Sequence, residues 1–430
     1  MGLIMFGALI GLILINIPVG VSIGLSAMIG IVFSDIPMQP VVIAQRMFTA
    51  VDSFPFMAIP FFMLAGGIMG KGGISKRLIH LASALIGGLR GGLGLITILA
   101  SAFFGAISGS NPATVAAIGG IMVPAMISKG YPAPFSASVA AAGGTLGVVI
   151  PPSIPMITFG VVAGVSIGDM FIAGIGPGIL LALLLSFVVV VQAKKLGIPL
   201  EDRTSLKDIL MALRESILAI IMPLIILGGI YGGIFTPTEA GAVAVVYSLI
   251  VSSFIFKELD LKDLREVLIK AGISSAVVFF VIATSQSFSW LITAARISEK
   301  ITTGMLSLSQ NPFIIITLTN LLLLFLGVFL ETQAIILLVA PILLPLLTGL
   351  GMDPILVGTM MVVNTSVGMI TPPMAVNLFV ASGLVKEYGV TMEKIALRIV
   401  PFLLAELVGI LMVSNIPAIS LGLLRLLKGG

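Results

Sequence analysis

Long apolar runs, interrupted by Pro, Gly and clusters of charged residues, follow one another along almost the whole chain. A transmembrane helix needs about 20 consecutive apolar residues, and about a dozen runs approach that length. Shorter runs with internal Gly and Pro predict helices that break inside the membrane, where neighbouring helices satisfy the freed backbone groups. Hydrophobic residues make up 58% and charged residues 9% of the sequence, against roughly 25% charged residues in a soluble domain. The pattern predicts an all-α polytopic membrane protein.

The second half of the chain repeats features of the first half in the same order. The stretch GVVIPPS (147–153) matches GMITPPM (368–374) at an offset of 221 residues, and the match runs backwards without a gap to Ala113 and Ala334. Upstream, GGISKRL corresponds to ARISEKI, and the Pro of NIPVG corresponds to the first Pro of FTPTEAG. Anchors that recur in order at nearly one offset predict two structural repeats.

Basic residues predict the orientation of the repeats, since Lys and Arg concentrate in cytoplasmic loops. The densest basic stretches, 194–214 and 257–270, are separated by two apolar segments, which then form an out-and-back pair with residues 236–241 in the periplasm. In an inverted arrangement the counterpart turn at Pro18 is cytoplasmic, and the N-terminus and residues 34–50 are periplasmic. We therefore predict two inverted repeats. Apolar residues at helical spacing beside charges also predict two amphipathic helices on the cytoplasmic surface, at 205–214 and 260–271.

Each repeat contains a predicted re-entrant hairpin, in which two apolar arms surround a small polar turn. The hairpins span 90–129, with the turn SGSNP, and 312–351, with the turn LETQ. Polar backbone at membrane depth survives only where it is buried or lines a cavity. Each hairpin is followed by a helix that ends in Gly, three residues and Pro-Pro before it restarts, within 133–165 and 354–385. We predict that both helices are discontinuous.

The two breaks predict two cation sites. A double Pro frees backbone carbonyls one turn earlier in a helix. With hairpin hydroxyls, these carbonyls supply oxygen ligands for a hard cation such as Na⁺, while half-helix N-termini favour an anion. The alternative is that the Gly and Pro residues only kink packed helices. The predicted ligands of the first site are Ala106, Ser108, Gly147, Ile150 and Ser153, and those of the second are Gly327, Gly368, Thr371 and Met374.

Charged side chains within apolar runs are further candidates, because an ionisable group at membrane depth is costly and needs a partner or a cavity. Glu331 at the tip of the second hairpin is the sharpest of them, and Glu406 lies in the last long apolar run. Arg46 and Asp52 flank the start of an apolar segment, where they serve equally well as interfacial anchors. Glu239 follows a predicted turn, where a position in the first turn of a helix explains it.

Neutral polar residues complete the predicted substrate site. Asn364 and Asn377 bracket the second break and can bind substrate hydroxyls or pair with loose backbone. Ser110 and Asn111 form the turn of the first hairpin. The full predicted substrate set is Ser110, Asn111, Glu331, Asn364, Asn377, Arg46 and Asp52.

Several classes of function are disfavoured by what the sequence lacks. With no Cys and a single His, there is no disulfide, no thiolate or His-cluster metal site and no Cys nucleophile, so an enzyme is not expected. The isolated polar turns do not form the continuous polar lining of a channel. The net charge of +4 is spread over loops and does not indicate nucleic-acid binding. No cofactor other than Na⁺ as coupling ion is predicted.

Over essentially its whole length the chain resembles the large membrane subunit of tripartite ATP-independent periplasmic (TRAP) transporters. The resemblance is carried by AQRMFTAVDSFPFMAIPFFMLAGGIM, GAISGSNPATVAAIGGIMVPAMISKGY, IMPLIILGGIYGGIFTPTEAGAVAVVY and the paired GVVIPPS and GMITPP breaks. Where relatives often have Ser-Ser before the hairpin Pro, this chain has Ser110-Asn111. The resemblance implies an elevator-type, Na⁺-coupled importer of organic anions of the C4-dicarboxylate or sialic acid class, in a bacterial inner membrane.

The resemblance also implies partners and a division of the chain. The partners are a periplasmic substrate-binding protein and a small four-helix membrane subunit, expected here as a separate polypeptide. A stand-alone Na⁺/anion symporter without a binding protein is the alternative. The scaffold is expected at 1–50, 171–258 and 396–430, the last a C-terminal helix, and the transport domain at 51–170 and 259–395.

Overall fold

The computed structural model describes residues 1–33, 39–86, 88–198, 205–309, 311–373 and 375–428, with the side chains of Leu206, Leu306 and Leu308 left out of account. Within these ranges all regular secondary structure is helical. Ten helical segments in them are long and apolar enough to cross a membrane. The prediction of an all-α polytopic fold is confirmed.

The described part of the first half forms eleven α-helices: α1 (Gly2–Leu14), α2 (Val19–Val32), α3 (Val41–Val51), α4 (Ala58–Lys71), α5 (Ile74–Ile86), α6 (Gly92–Ser108), α7 (Asn111–Ser128), α8 (Ala133–Gly144), α9 (Leu146–Val149), α10 (Ile154–Ala163) and α11 (Ile167–Lys195). The described part of the second half forms ten: α12 (Leu206–Tyr231), α13 (Pro237–Ile250), α14 (Leu261–Ala294), α15 (Ile297–Leu308), α16 (Pro312–Phe329), α17 (Thr332–Gly349), α18 (Pro354–Gly368), α19 (Val376–Leu384), α20 (Met392–Asn415) and α21 (Pro417–Lys428). Short 3₁₀ turns (Phe54–Met57, Lys386–Tyr388) and a π-turn (Val251–Ile255) connect some of them.

Two helix pairs with two-residue connections lie within the predicted hairpin segments. They are α6–α7 and α16–α17, and in each pair the two helices pack against each other. After each pair comes a helix that stops before Pro-Pro, at Val149 in the first half and Gly368 in the second, and restarts as α10 or α19. The bases of the two pairs lie at opposite ends of α11. Gly91 packs on Ala193 near the end of α11, whereas the base of α16–α17 shares a groove with α21, whose Lys428 pairs with Asp169 at the start of α11.

The 221-residue offset of the sequence repeat reappears in the contacts of the structure. The hydroxyl of Ser366 donates to the carbonyl of Thr145, 2.6 Å away and 221 positions earlier in the chain. The side-chain oxygen of Asn111 accepts from the N–H of Val148. The residues 221 positions later, Thr332 and Met369, form the corresponding contact, in which the Thr332 hydroxyl approaches the Met369 sulfur. The two repeats predicted from the sequence therefore meet at Thr145 and Ser366.

Charged residues pair at one end of the helix bundle. Lys71 lies 3.3 Å from Asp263 and 3.2 Å from Glu266, and Arg77 lies 2.7 Å from Glu258. The hydrogen bond from the Arg77 guanidinium holds the pKa of the Glu258 carboxyl below its usual range. These ion pairs bring residues 71–77 together with the basic stretch 257–270. The charge distribution predicts that stretch to be cytoplasmic.

The predicted amphipathic helices at 205–214 and 260–271 are wrong as separate elements. Each forms the first turns of a longer helix, α12 with 26 residues and α14 with 34 residues, the latter about 51 Å long. Ser205 and Asp208 form a capping box, and Asp260 caps the amide of Asp263, so both helices begin at these charged ends. No Pro interrupts either helix before its apolar part, and the helix therefore continues. The segment predicted as one C-terminal helix contains two, α20 and α21, separated at Ile416 before Pro417.

Glu239 occupies the position that its sequence context suggested. Thr236 is the N-cap of α13 and its hydroxyl accepts from the amide of Glu239, while the Glu239 carboxylate accepts from the amide of Thr236 at 2.8 Å. This reciprocal capping box explains the acidic residue without a functional role.

Candidate substrate and cation sites

The end of α6, the start of α7 and the first break lie in contact because glycine occupies the points of closest approach. A Cβ added to Gly147 would lie 2.5 Å from the carbonyl oxygen of Ser110 and 2.7 Å from the hydroxyl of Thr114. A Cβ added to Gly105 would lie 2.9 Å from the carbonyl oxygen of Leu146. The hairpin turn therefore touches the broken helix through backbone, and carbonyl oxygens of both converge.

The first predicted ligand set carries an unsatisfied hydroxyl. Ser153 is fully buried at the N-cap of α10, and its Oγ has no hydrogen-bond partner among the described protein atoms. Ser108 is buried as well, with its hydroxyl 3.0 Å from that of Thr114. Ile150 follows the last turn of α9 in an extended conformation, so the final carbonyls of that helix have no intrahelical partner. Buried oxygens that lack donors fit a cation that accepts several of them as ligands.

The second hairpin meets the second break in the same way. A Cβ on Gly368 would lie 2.5 Å from the Cα of Gly327, and one on Gly327 would lie 3.0 Å from the carbonyl oxygen of Thr365. The hydroxyl of Thr371 donates to the carbonyl of Val367 at 3.0 Å, which leaves its oxygen lone pairs free. Met374, the remaining predicted ligand, lies outside the described residues.

A small cavity of about 80 Å³ lies where the two hairpin tips face each other. Its wall combines both tips with the first residues of α10, one residue from each break, and one residue each from α4 and α14. These residues are Gly109, Ser110, Asn111, Pro112, Glu331, Thr332, Gln333, Ile154, Pro155, Val148, Met369, Met63 and Val278. Three helix N-termini, those of α7, α10 and α17, therefore lie at the cavity, and each carries a partial positive charge. No Lys or Arg is among the described residues of this wall.

The structure brings three of the seven predicted substrate residues to this cavity, namely Ser110, Asn111 and Glu331. Asn364 is fully buried and donates to Asn320 and to the carbonyl of Met360, so its amide nitrogen faces the packing between α16 and α18. Asn377 is fully buried and donates to the carbonyl of Ala141.

The two charged candidates near the N-terminus lie elsewhere in the structure. The guanidinium of Arg46 lies 5.2 Å from the centre of the Trp290 ring, and both Arg46 and Asp52 are exposed at α3. Neither is among the described residues of the cavity wall. A cation over an aromatic ring near a helix end is the arrangement of an interfacial anchor.

Several polar residues near the tips were missed by sequence reasoning. Gln333 donates to the hydroxyl of Thr158 and so ties the second tip to α10. Ser366 accepts from Asn111 at 2.8 Å, and this bond ties the first tip to the helix of the second break. Single Ser, Thr and Gln residues in apolar helices are too common to single out, although the offset of the repeat aligns Thr145 with Ser366.

A larger, mostly apolar cavity of about 540 Å³ adjoins the second tip. It is formed by the start of α2, the middle of α14 and the tip of α17, and Glu331 and Gln333 belong to its wall as well as to that of the small cavity. Glu331 thus lies at the boundary between the two spaces.

Known membrane transport proteins are similar to this chain over most of its length. The chain matches the family described as "Tripartite ATP-independent periplasmic transporter, DctM component" over residues 6–419. It is 40% identical over 440 residues to the "C4-dicarboxylate TRAP transporter large permease protein DctM" of Rhodobacter capsulatus, with 99% of each chain covered. It is 33% identical over 386 residues to the "Sialic acid TRAP transporter large permease protein SiaM" of Vibrio cholerae, with 90% of each covered.

A longer relative and a solved structure extend the comparison. The "Isethionate TRAP transporter permease protein DctMQ" of Oleidesulfovibrio alaskensis is 42% identical over 420 residues, which cover 97% of this chain and 65% of that protein. The crystal structure of the Alcanivorax borkumensis YdaH transporter has the same fold, with a TM-score of 0.64 at 14% identity over 94% of this chain and 97% of that one. The family match covers nearly the whole chain, and the resemblance seen in the sequence is confirmed. The chain belongs to the DctM family, the large permease component of TRAP transporters.

Proposed function

We propose that this permease imports an organic anion by Na⁺-coupled secondary active transport, with an elevator-type movement of the hairpin-bearing body. The observation that carries the proposal is the convergence of two hairpin tips, two broken helices and three helix N-termini on one small cavity. Tripartite family membership disfavours the alternative of a stand-alone symporter without a binding protein.

The cavity suits an anion that also carries hydrogen-bond donors. The N-termini of α7, α10 and α17 offer backbone N–H groups and partial positive charge to a carboxylate or sulfonate. Glu331 at the rim would repel a second anionic group but accepts hydrogen bonds from a hydroxyl or ammonium. Isethionate, 2,3-diketo-L-gulonate and sialic acid, for which three relatives are named, are hydroxylated acids with one anionic group, whereas the C4-dicarboxylates of other relatives carry a second one. Within that range, the geometry favours a hydroxylated acid.

Na⁺ is proposed at both hairpin–break contacts. Each contact joins free helix-end carbonyls to a polar side chain, the partnerless hydroxyl of Ser153 in the first site and the hydroxyl of Thr371 in the second. Binding at both contacts would fix the tips against the breaks, which complete the wall of the cavity. Na⁺ binding would thereby raise affinity for the anion, and such coupling is reciprocal.

Helix packing supports a two-body movement. α2, α3, α4, α5, α12, α13 and α14 pack on one another, whereas α6–α11 and α16–α20 pack around the two breaks. We assign the second group to the moving body. This assignment differs from the division expected from the sequence, because it places α11 and α20 in the moving body and α4, α5 and α14 outside it. The bodies meet along α5 with α6 and α14 with α17. The opposite placement of the hairpin bases along α11 supports inverted repeats.

The tripartite description implies two partners, a periplasmic binding protein that delivers the anion and a small membrane subunit. The match to this chain covers 65% of the DctMQ relative, so that protein has an additional part. We propose that the additional part does what a separate four-helix subunit does here. The assembly is placed in a bacterial inner membrane, with the N-terminus of this chain in the periplasm.

The proposal is tested in proteoliposomes that contain the permease with its small subunit, with the binding protein added outside. Uptake of a panel of labelled anions is compared under an inward Na⁺ gradient, with Na⁺ replaced by K⁺, and with or without the binding protein. We expect uptake that requires both Na⁺ and the binding protein and is indifferent to ATP. Equal uptake in K⁺ would exclude Na⁺ coupling, and uptake without the binding protein would favour the stand-alone alternative.

A further inference from the structure

Glu406 lies in the middle of α20 and is fully buried in the apolar interior. One turn further on, Gly409 packs directly on Leu181 of α11. Leu181 is about 18 Å along that helix from Asp169 and about 20 Å from Lys194. The carboxyl group is therefore far from both charged ends of the bundle.

In the part of the chain that the structure describes, no charged side chain reaches Glu406 from the helices packed on α20. Among the described residues, α8, α16, α18 and α19 carry no charged residue at all. The charges of α11, α20 and α21 lie near helix ends or at least two turns away, at Asp169, Lys194, Lys195, Glu393, Lys394, Arg398, Arg425 and Lys428. Glu406 takes part in none of the ion pairs formed by the described residues. An ionised carboxylate here would be uncompensated.

The hydrogen bonds of Thr145 show which form the carboxyl takes. The Thr145 hydroxyl lies 2.7 Å from the carbonyl oxygen of Ala142 and also contacts Oε1 of Glu406. A hydroxyl has one proton to donate, and the Ala142 carbonyl can only accept. Both bonds are satisfied when Thr145 donates to Ala142 and a protonated Glu406 donates to Thr145. The other oxygen, Oε2, has no partner among the described protein atoms. A buried oxygen without a partner costs less in the neutral C=O of an acid than in a charged carboxylate.

The chain of bonds continues from Thr145 to the first hairpin. The carbonyl of Thr145 accepts from Ser366 at 2.6 Å, Ser366 accepts from Asn111 at 2.8 Å, and Asn111 accepts from the amide of Val148 at 3.0 Å. Val148 and Asn111 both line the cavity between the tips, and Val148 adjoins Gly147 of the first cation site. One buried acid is thus connected to the tip and the break that the proposed function uses.

We propose that Glu406 is an intramembrane protonation site, neutral in this conformation, whose proton anchors the hydrogen-bond chain through Thr145, Ser366 and Asn111 and so positions the first hairpin tip at its break. Glu406 is a positioning residue, because it touches neither cavity. The positioning part of the inference rests on the proposed function, whereas the protonation part does not. Deprotonation would place an uncompensated charge beside Thr145 and would draw the proton of the Thr145 hydroxyl from the Ala142 carbonyl to the Glu406 carboxylate. Na⁺ activation would then weaken as pH rises.

Infrared difference spectroscopy of the purified wild-type permease against Glu406→Gln tests protonation directly. We expect the carbonyl stretch of a protonated carboxylic acid in wild type at pH 7, shifted in D₂O and absent from Glu406→Gln. The matched control is Glu393→Gln, an exposed acid on the same helix, which should leave that band in place. A wild-type spectrum without a protonated-acid band assignable to Glu406 would overturn the proposal whether or not the protein transports.

Na⁺ activation of transport tests positioning. A Gln amide still donates to Thr145, so Glu406→Gln should keep the half-saturating Na⁺ concentration within about threefold of wild type. In the wild type this concentration should rise at alkaline pH, and in Glu406→Gln it should not. Glu406→Ala removes the donor and should raise that concentration about tenfold, and Thr145→Val should do the same with Glu406 intact. The positioning role would be refuted if Glu406→Gln raised the half-saturating Na⁺ concentration as much as Glu406→Ala does, or if Thr145→Val left it unchanged. Na⁺-independent transport by the wild type would instead refute the proposed function and leave the infrared result standing.

Discussion

Substitution of Gly368 by Ala is the most direct test of the second cation site. The new Cβ would lie 2.5 Å from the Cα and 2.8 Å from the carbonyl carbon of Gly327, and 3.1 Å from the carbonyl oxygen of Leu324. Carbon atoms in contact prefer about 3.5–4.0 Å, so α16 and α18 must separate by roughly 1 Å. All three contacts are backbone, and no side-chain rotation can relieve them.

The cost follows from overpacking. A methyl forced into a packed contact costs about 1–3 kcal/mol, and the better helix propensity of Ala returns up to about 1 kcal/mol. A net loss of about 1–2 kcal/mol corresponds to a factor of 5–30 in an equilibrium constant. Since the carbonyls of the second site lie on both sides of this contact, we expect the loss to appear as a 5- to 30-fold rise in the Na⁺ concentration needed for half-saturation.

The assay is thermal unfolding of the purified permease across a Na⁺ titration at constant ionic strength with K⁺, because a ligand that binds the folded state raises its melting temperature. The matched control is Gly383→Ala in α19, where an added Cβ meets no atom within 4 Å. It should leave the Na⁺ titration unchanged. A Gly368→Ala protein that melts lower in K⁺ but keeps the wild-type half-saturation would show that the glycine contact is packing alone, and the assigned second site would be wrong.

Three further outcomes are expected. At equal protein levels, Thr371→Ala should raise the half-saturating Na⁺ concentration of transport because it removes a hydroxyl ligand, whereas Ile150→Ala should lower stability without that shift; identical curves for both would refute the difference between the sites. Glu331→Gln should reduce the preference for hydroxylated over unsubstituted anions about tenfold in competition uptake, if the carboxylate accepts from a substrate hydroxyl. A single Cys at position 207 should react with a membrane-impermeant reagent only from the cytoplasmic side, and one placed in 236–241 only from the periplasm; reaction of position 207 from outside would overturn the orientation.

Sequence reasoning succeeded where a local pattern has one physical outcome. Pro-Pro cannot continue a helix, so the interruptions after Val149 and Gly368 followed from the residues themselves. A polar turn between two apolar arms likewise predicted where α6 and α7 separate. The same reasoning placed Ser110, Asn111 and Glu331 at turns, and the structure shows those turns facing one cavity.

Sequence reasoning left the outcome open where it depends on contacts between distant helices. Asn364 was left to bind a substrate or to pair with backbone, and the structure shows its amide donating to Asn320 and to the carbonyl of Met360. Thr145 contacts Glu406 of α20 and Ser366 of α18, and no spacing along the chain reveals these contacts. The amphipathic starts of α12 and α14 were separated from their apolar continuations because hydropathy changes there while helix geometry does not.

The two halves have the same order of helices, and they differ in the side chains of the hairpin tips at the cavity. At equivalent positions of the tips, Asn111 in the first half corresponds to Thr332 in the second, and the acid Glu331 has Ser110 as its counterpart. A strictly symmetric pair of tips would offer the same groups to both ends of a ligand. Because one tip carries a carboxylate and the other an amide held by Ser366, the cavity can distinguish the two ends of an asymmetric anion. In the proposed function, the matching backbone of the two halves would supply the two cation sites, and the residues that differ between the tips would supply the substrate selectivity.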